Sequence, residues 1–107
     1  MGSYYAVTWH PGQQMAALRL ATQMRRVGIS TDYALQGKPQ RQFDKAKDSG
    51  AAVIITIRGA NDARIWWRWR KGVDCLPSEA LAYALWLEDD TDQLPEPPPY
   101  LLEQSNG

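Results

Sequence analysis

A chain of 107 residues has the size of one domain with a modest core, and a hydrophobic fraction of 44% argues against wholesale disorder. Lys and Arg together number 12, as do Asp and Glu, so the formal net charge is zero. This balance counts against a dedicated nucleic-acid binder, which usually carries a basic excess. The last twenty residues are rich in acids, however, so the body is mildly basic and leaves room for a local basic patch.

The single cysteine, Cys75, excludes an intramolecular disulfide and a cysteine cluster for zinc. A lone cysteine fits a reducing compartment, and we expect the protein to be cytoplasmic. No run approaches the roughly 18 apolar residues of a membrane span, so no membrane partner is predicted. No Ser/His/Asp set, paired-carboxylate motif, phosphate-binding loop or metal-ligand spacing is visible. We therefore predict no catalytic residue, no metal and no cofactor.

The first third of the chain predicts a strand, a helix and a second strand. Residues 4–9 form the first strand, and His10-Pro11-Gly12 ends it. A helical pattern runs over residues 13–27, and Gly28 stands where a left-handed cap residue belongs. Residues 29–35 alternate in a second short strand. The helix residues expected to face inward are Met15, Ala16, Ala17, Leu18, Ala21 and Thr22.

The middle of the chain predicts a surface helix and then a central strand. Pro39 suits the first turn of a helix that extends to about Ser49 and has few apolar residues. The stretch 50–57 has no polar alternation and is dense in β-branched residues from Val53 to Ile57. Such a short continuous run is typical of a strand buried on both faces, in a sheet that lies between helices.

After a tight turn at Asn61-Asp62, residues 64–70 predict a fourth, antiparallel strand at one edge of the sheet, and Gly72 ends it. A third helix runs from Ser78 to about Glu88. The composition then changes to an acid run and prolines, which predicts a tail or linker over residues 89–107 after a domain over residues 1–88.

The order of elements is strand, helix, strand, helix, strand, strand, helix. A βαβαβ beginning implies parallel neighbours joined by right-handed crossovers, and the tight turn adds an antiparallel strand. The predicted fold is an α/β three-layer α/β/α sandwich with a mixed, mainly parallel sheet of four to five strands.

A series of short segments between Ala16 and Ile57 has a familiar order. They are Leu18-Arg19-Leu20-Ala21, Arg26-Val27-Gly28-Ile29, Asp32-Tyr33-Ala34-Leu35, Lys38-Pro39 and Ser49-Gly50-Ala51-Ala52. In this order the chain resembles the C-terminal anticodon-binding domain of class IIa aminoacyl-tRNA synthetases, closest to the histidyl-tRNA synthetase branch. The resemblance covers roughly residues 4–88.

The resemblance implies a five-stranded mixed sheet, with residues 73–76 as the fifth strand, and a surface that holds tRNA. It places that surface near the turn and second helix, at Lys38, Arg41, Gln42 and Lys45. This chain contains no synthetase catalytic domain, so we expect a non-enzymatic module. The Trp-Trp-Arg-Trp sequence and the Pro-rich tail depart from the family pattern.

The fourth strand offers a second candidate surface. With period two, Trp66, Arg68 and Arg70 share one face, where an aromatic ring beside guanidinium groups can stack bases and hold phosphates. Arg58 and Arg64 would extend this patch. Alternatively, the Trp and Arg side chains stack on each other, or they form a protein or self-association surface. Likewise, Asp44 and Asp48 interleave with the cations of the second helix, as on an ordinary solvated helix face.

Two functional hypotheses follow. The first is a non-catalytic module that binds tRNA or another structured RNA, alone or with a partner protein. The second is a protein-interaction or homodimerisation module that kept the fold, lost RNA binding and pairs through the Trp-rich edge strand.

Overall fold

The computed structural model of the protein describes residues 4–67 and 70–90. This part forms a five-stranded sheet with helices on both faces. In chain order the elements are β1 (Tyr5–Trp9), α1 (Gln14–Arg26), β2 (Thr31–Tyr33), α2 (Pro39–Asp48), β3 (Val53–Gly59), β4 (Asp62–Trp67), β5 (Arg70–Cys75), a 3-10 turn (Pro77–Glu79) and α3 (Ala80–Asp90). Local sequence accounts for several boundaries. Gly28 follows α1 with a φ of 88°, and Pro39 is the first residue of α2.

The strand order is β2-β1-β3-β4-β5. β1 pairs in parallel with β2 and β3, whereas β4 is antiparallel to both β3 and β5. The predicted mixed α/β sheet is therefore confirmed, with its parallel and antiparallel pairings in equal number instead of mainly parallel. The fifth strand that the resemblance implied is present and begins earlier, at Arg70.

The central strand lies between two helical layers, as predicted. On one face, Val53, Ile55 and Ile57 pack with alternate residues of β1 and β4 against α1 and α3. On the other face, Ile54 packs with Ala46 of α2. All four of these β3 side chains are at most 2% exposed. This double burial removes the polar alternation that a half-covered strand would show.

The buried stripe of α1 differs from the predicted one. Ala17, Leu20, Ala21 and Met24 face the core, at the i, i+3, i+4, i+7 spacing of one helical face. Met15 and Leu18, expected to face inward, are 63% and 38% exposed. Alanines lie on several sides of α1, so the sequence is compatible with either the predicted or the observed buried face. The observed face places the longer side chains of Leu20 and Met24 in the core.

The end of the sheet also differs from expectation. Gly72 lies inside β5, so it does not end a strand, and Arg70 starts β5 opposite Trp67 instead of continuing β4. The guanidinium group of Arg64 lies over Gly72 and donates a hydrogen bond from Nη2 to its carbonyl at 3.2 Å, which accounts for a residue without a side chain here. A Cβ atom at residue 72 would come within 2.9 Å of Arg64 Nε. β4 is consequently an inner strand, and the prediction that it forms the edge is wrong.

Helix α3 extends to Asp90, two residues past the predicted domain boundary. The division between a domain and a tail remains a prediction, because residues 91–107 lie outside the described residues. Within residues 4–67 and 70–90, no helix has the length and apolar character needed to cross a bilayer.

Candidate nucleic-acid interface

A groove with a volume of about 650 Å³ lies between α2 and the loop that follows β2. Arg41, Lys45 and Ala46 of α2 line one part of it. Tyr4, Asp32 and the loop of residues 34–37 line another. We call this feature the α2 groove. Its size is within the range of about 300–1,000 Å³ that is typical of small-ligand sites, so it can receive a group as large as a nucleotide base.

Gln42 holds the groove together from inside. Its side chain is only 3% exposed. Its Oε1 accepts a hydrogen bond from the backbone N–H of Trp9 at 2.8 Å, and its Nε2 donates to the carbonyl of Gly37 at 2.7 Å. The resemblance implied that Gln42 lies near the RNA surface. The structure places it in the lining of the groove, largely buried, with its amide oxygen and nitrogen both engaged by backbone.

The loop of residues 34–37 has a second anchor. The indole Nε1 of Trp9 donates a hydrogen bond to the carbonyl of Ala34 at 2.8 Å. With the bond from Gln42 to Gly37, both ends of this loop are fixed to β1 and α2. The groove wall is therefore preformed by two partly buried hydrogen bonds, which are worth about 1 kcal/mol each.

Three cations lie at the start and along one side of α2, beside Asp44 and Asp48. Lys38, Arg41 and Lys45 are exposed, and none of them forms a salt bridge within the part of the chain that the structure describes. Arg41 and Lys45 line the groove, whereas Asp44 and Asp48 do not. Of these acids, Asp44 accepts a hydrogen bond from Gln40. The interleaved acids of α2 thus form no ion pair with the three cations, which we call the α2 cation row.

The acidic residue of the groove, Asp32, is engaged by a neighbour. The hydroxyl of Tyr4 donates a hydrogen bond to its carboxylate. Burial and, after it, the contact with Asp32 raise the pKa of Tyr4 to about 12. Tyr4 therefore keeps its proton at neutral pH, and the carboxylate of Asp32 already accepts one hydrogen bond from it. Neither residue was predicted as part of a site.

Trp66 packs on the opposite flank of α2 from the cation row. Its ring meets Phe43 edge to face, with the ring centroids 5.6 Å apart. The Nζ of Lys47 lies 5.5 Å from the Trp66 ring and 5.8 Å from the Phe43 ring. Trp67 points to the other face of the sheet and is 4% exposed. The Trp66 ring thus covers the part of the sheet beside α2, and the cation that lies near it, Lys47, belongs to α2 and not to a strand.

Arg58 and Arg64 are neutralised by acids on neighbouring strands. Arg58 lies 2.5 Å from Asp62 and 3.0 Å from Asp74, and Arg64 lies 2.8 Å from Asp74. These two arginines and two aspartates form a charge-balanced network. The network leaves Arg58 less available to a phosphate than the unpaired α2 cations are.

Of the other predicted contacts, Arg68 lies outside the described residues, and only the backbone of Arg70 is placed, at the start of β5. Sequence reasoning joined Arg58 and Trp66 with these arginines in one patch; of this set, the structure pairs Arg58 with Asp62 and Asp74 and packs Trp66 on Phe43.

Two solved structures share this architecture. The S. aureus histidyl-tRNA synthetase matches with a TM-score of 0.65 and 20% identity, covering 77% of this chain. The RNA binding domain of threonyl-tRNA synthetase from Cryptosporidium parvum Iowa II matches with a TM-score of 0.66 and 6% identity, covering 78%. The chain has an anticodon-binding-like fold. It spans 26% and 23% of the two synthetase chains, and no protein-family model or curated protein sequence matches it.

Within this anticodon-binding-like fold, the structure brings together only part of the predicted site. Arg41, Gln42 and Lys45 line the α2 groove, and Lys38 is the N-cap residue of the same helix. Missed by sequence reasoning were Tyr4 and the backbone of residues 34–37. Tyr4 sits at the start of a strand, and the loop contributes carbonyl groups, so neither gives a side-chain motif. In the described ranges, no three His, Cys, Asp or Glu residues are grouped closely enough to hold a metal ion.

Proposed function

We propose that the protein is a non-catalytic, cytoplasmic module that binds tRNA or another structured RNA at the α2 groove, alone or with a partner protein. The observation that carries the proposal is the α2 cation row, three cations without salt bridges in the described part of the chain. The anticodon-binding-like fold supports it, since one of the two similar structures is named as an RNA binding domain.

The chemistry of the groove suits a single-stranded part of an RNA. Lysine and arginine side chains neutralise phosphates and release counterions from the nucleic acid. An unpaired base needs a ring to stack on and polar groups along its edge. Tyr4 supplies a ring at the groove, and the loop of residues 34–37 supplies backbone groups. The zero net charge of the whole chain does not oppose this proposal, because the cations of the α2 row are locally unpaired.

The test is a titration of bulk tRNA into the fluorescently labelled full chain at 50 and 200 mM KCl. Each phosphate contact contributes about 0.7–0.9 to the slope of log affinity against log salt. Three contacts therefore predict binding about 20- to 40-fold weaker at the higher salt. Absence of binding at 50 mM KCl would remove the proposal.

A matched pair of variants locates the surface. Arg41→Gln with Lys45→Gln should weaken tRNA binding and lower the salt slope by about 1.4–1.8, the share of two phosphate contacts. Lys47→Gln removes a charge from the same helix on the opposite flank, beside Trp66. This control should change the affinity much less. An effect of Lys47→Gln half as large as that of the double variant, in proportion to the charge removed, would show that net charge, and not the groove, governs binding.

The protein-interaction alternative needs a different strand from the one predicted. β4 pairs on both sides and has no free edge, whereas β5, like β2, is one of the two edge strands of the sheet. In the described residues nothing pairs with its outer side, and a free edge is a template for another strand. We place this alternative at β5. Light scattering at high protein concentration tests it, and a monomeric mass would argue against pairing between two copies.

A further inference from the structure

The charges of this chain are divided by position. Residues 1–90 contain all twelve Lys and Arg and nine of the twelve acids, a formal net charge of +3. Residues 91–107 contain the other three acids and no Lys or Arg, a formal net charge of −3. The net charge of the chain is therefore zero because the positive charge of the domain and the negative charge of the acidic segment cancel. A segment tethered to a domain of opposite charge meets it at an effective concentration in the millimolar range.

The α2 cation row offers the acidic segment a surface within reach. Lys38, Arg41 and Lys45 have no salt bridge within residues 4–67 and 70–90, whereas Arg58 and Arg64 already have acidic partners. The segment leaves α3 at Asp90, on the face of the sheet opposite α2. Its 17 remaining residues can span about 50–60 Å when extended. The longest dimension of the domain is 35 Å, so Glu103, which follows Asp90 by thirteen residues and can lie about 43–47 Å from it, can pass the sheet edge and reach α2.

We propose that the acidic segment 91–107 binds the α2 cation row of its own chain and competes there with RNA phosphates. Glu103 supplies the docking carboxylate, and Asp92 and Glu96 add negative charge to the segment. The prolines at residues 95 and 97–99 favour an extended backbone, which suits the reach that Glu103 needs. The inference rests on the proposed function, because it names a regulator of the same groove. RNA must displace the segment, so affinity is lower than the groove alone would give.

The first experiment neutralises the segment within the full chain. Asp92→Asn, Glu96→Gln and Glu103→Gln are compared with the charge-preserving set Asp92→Glu, Glu96→Asp and Glu103→Asp. Exposed ion pairs are individually weak, so we expect the neutral set to bind bulk tRNA about three- to tenfold more tightly at 50 mM KCl. The gain should shrink at 200 mM KCl because salt screens the competing contacts. The charge-preserving set should behave as the original chain.

The second experiment detects docking without RNA. Backbone amide NMR shifts of residues 38–45 should differ between the original chain and the neutral set, while those of residues 14–26 in α1 stay unchanged. In the Arg41→Gln, Lys45→Gln background, neutralising the segment should no longer alter the shifts or the tRNA affinity. If the neutral set bound tRNA more tightly without any shift change at α2, docking of the segment would be refuted. The gain would then come from loss of long-range repulsion between the segment and the RNA phosphates.

The outcomes separate the two proposals. If neither the original chain nor the neutral set binds tRNA, the proposed function fails, and shift changes at α2 would still establish docking. If both bind tRNA equally and the α2 shifts are identical, RNA binding stands and the competing segment is refuted.

Discussion

Replacing Gln42 by Ala tests the geometry on which the groove depends. The substitution removes two hydrogen bonds and leaves the backbone N–H of Trp9, a buried residue, without its partner. Each lost bond is worth about 1 kcal/mol, and an unsatisfied buried donor costs about 1–3 kcal/mol. We therefore expect the free energy of unfolding to fall by about 2–4 kcal/mol, a large share of the roughly 5–15 kcal/mol of a typical domain.

Urea unfolding followed by tryptophan fluorescence measures this change. Gln40→Ala, at an exposed position of the same helix, is the matched control and should stay within about 0.5 kcal/mol of the original chain. Gln42→Glu adds a pH test, because only a protonated carboxyl can donate to Gly37. Burial beside that carbonyl raises the folded-state pKa of the new carboxyl, so its contribution to stability is present at low pH and lost as pH rises. The deficit should therefore be larger at pH 8 than at pH 4.5.

The reasoning fails if Gln42→Ala unfolds within about 0.5 kcal/mol of the original chain. Such a result would mean that the amide is at the surface. If tRNA binding fell at the same time, Gln42 would be a direct RNA contact, as the resemblance implied.

Three further predictions follow from single contacts. Gly72→Ala should destabilise the protein by about 1–3 kcal/mol in urea unfolding, since its Cβ atom would lie 2.9 Å from Arg64 Nε; an unchanged midpoint would contradict the close approach. In an ultraviolet titration Tyr4 should ionise near pH 12, and Asp32→Asn should lower the pKa of Tyr4. Because the folded-state pKa is raised, the contribution of Tyr4 to stability is present below about pH 10 and lost as pH rises toward 12. Burial, followed by the nearby acids, raises the pKa of Cys75 to about 12, so a thiol reagent at pH 8 should label it only after unfolding; rapid labelling of the folded protein would contradict its burial.

The sequence was sufficient for the sheet core because its signals there were local. The β-branched run of β3, the proline at the start of α2 and the glycine after α1 each act within a few residues. Their order along the chain was enough to predict the layers and the mixed pairing. The buried stripe of α1 was wrong because alanines on several sides fit more than one helical face. The burial of Leu20 and Met24 is decided by the volume available in the core, which the sequence of the helix does not give.

The candidate site was harder to predict because its decisive contacts join distant parts of the chain. Asp74 neutralises Arg58 from sixteen residues away, and Gln42 reaches a backbone group at Trp9. A polar residue on a helix with few apolar side chains gives no sign that it is buried. Gly72 likewise predicted the end of a strand. In the structure it lies inside β5, where the absence of a side chain makes room for Arg64.

The two anchors of the loop at residues 34–37 have a kinetic consequence. A wall already fixed by Trp9 and Gln42 would not have to order itself on binding the proposed RNA, so little conformational entropy would be lost on association. Encounter would then be limited by diffusion and steered by charge, with an association rate that falls as ionic strength rises. Differences in affinity between RNA sequences would appear mainly in how long each complex lasts.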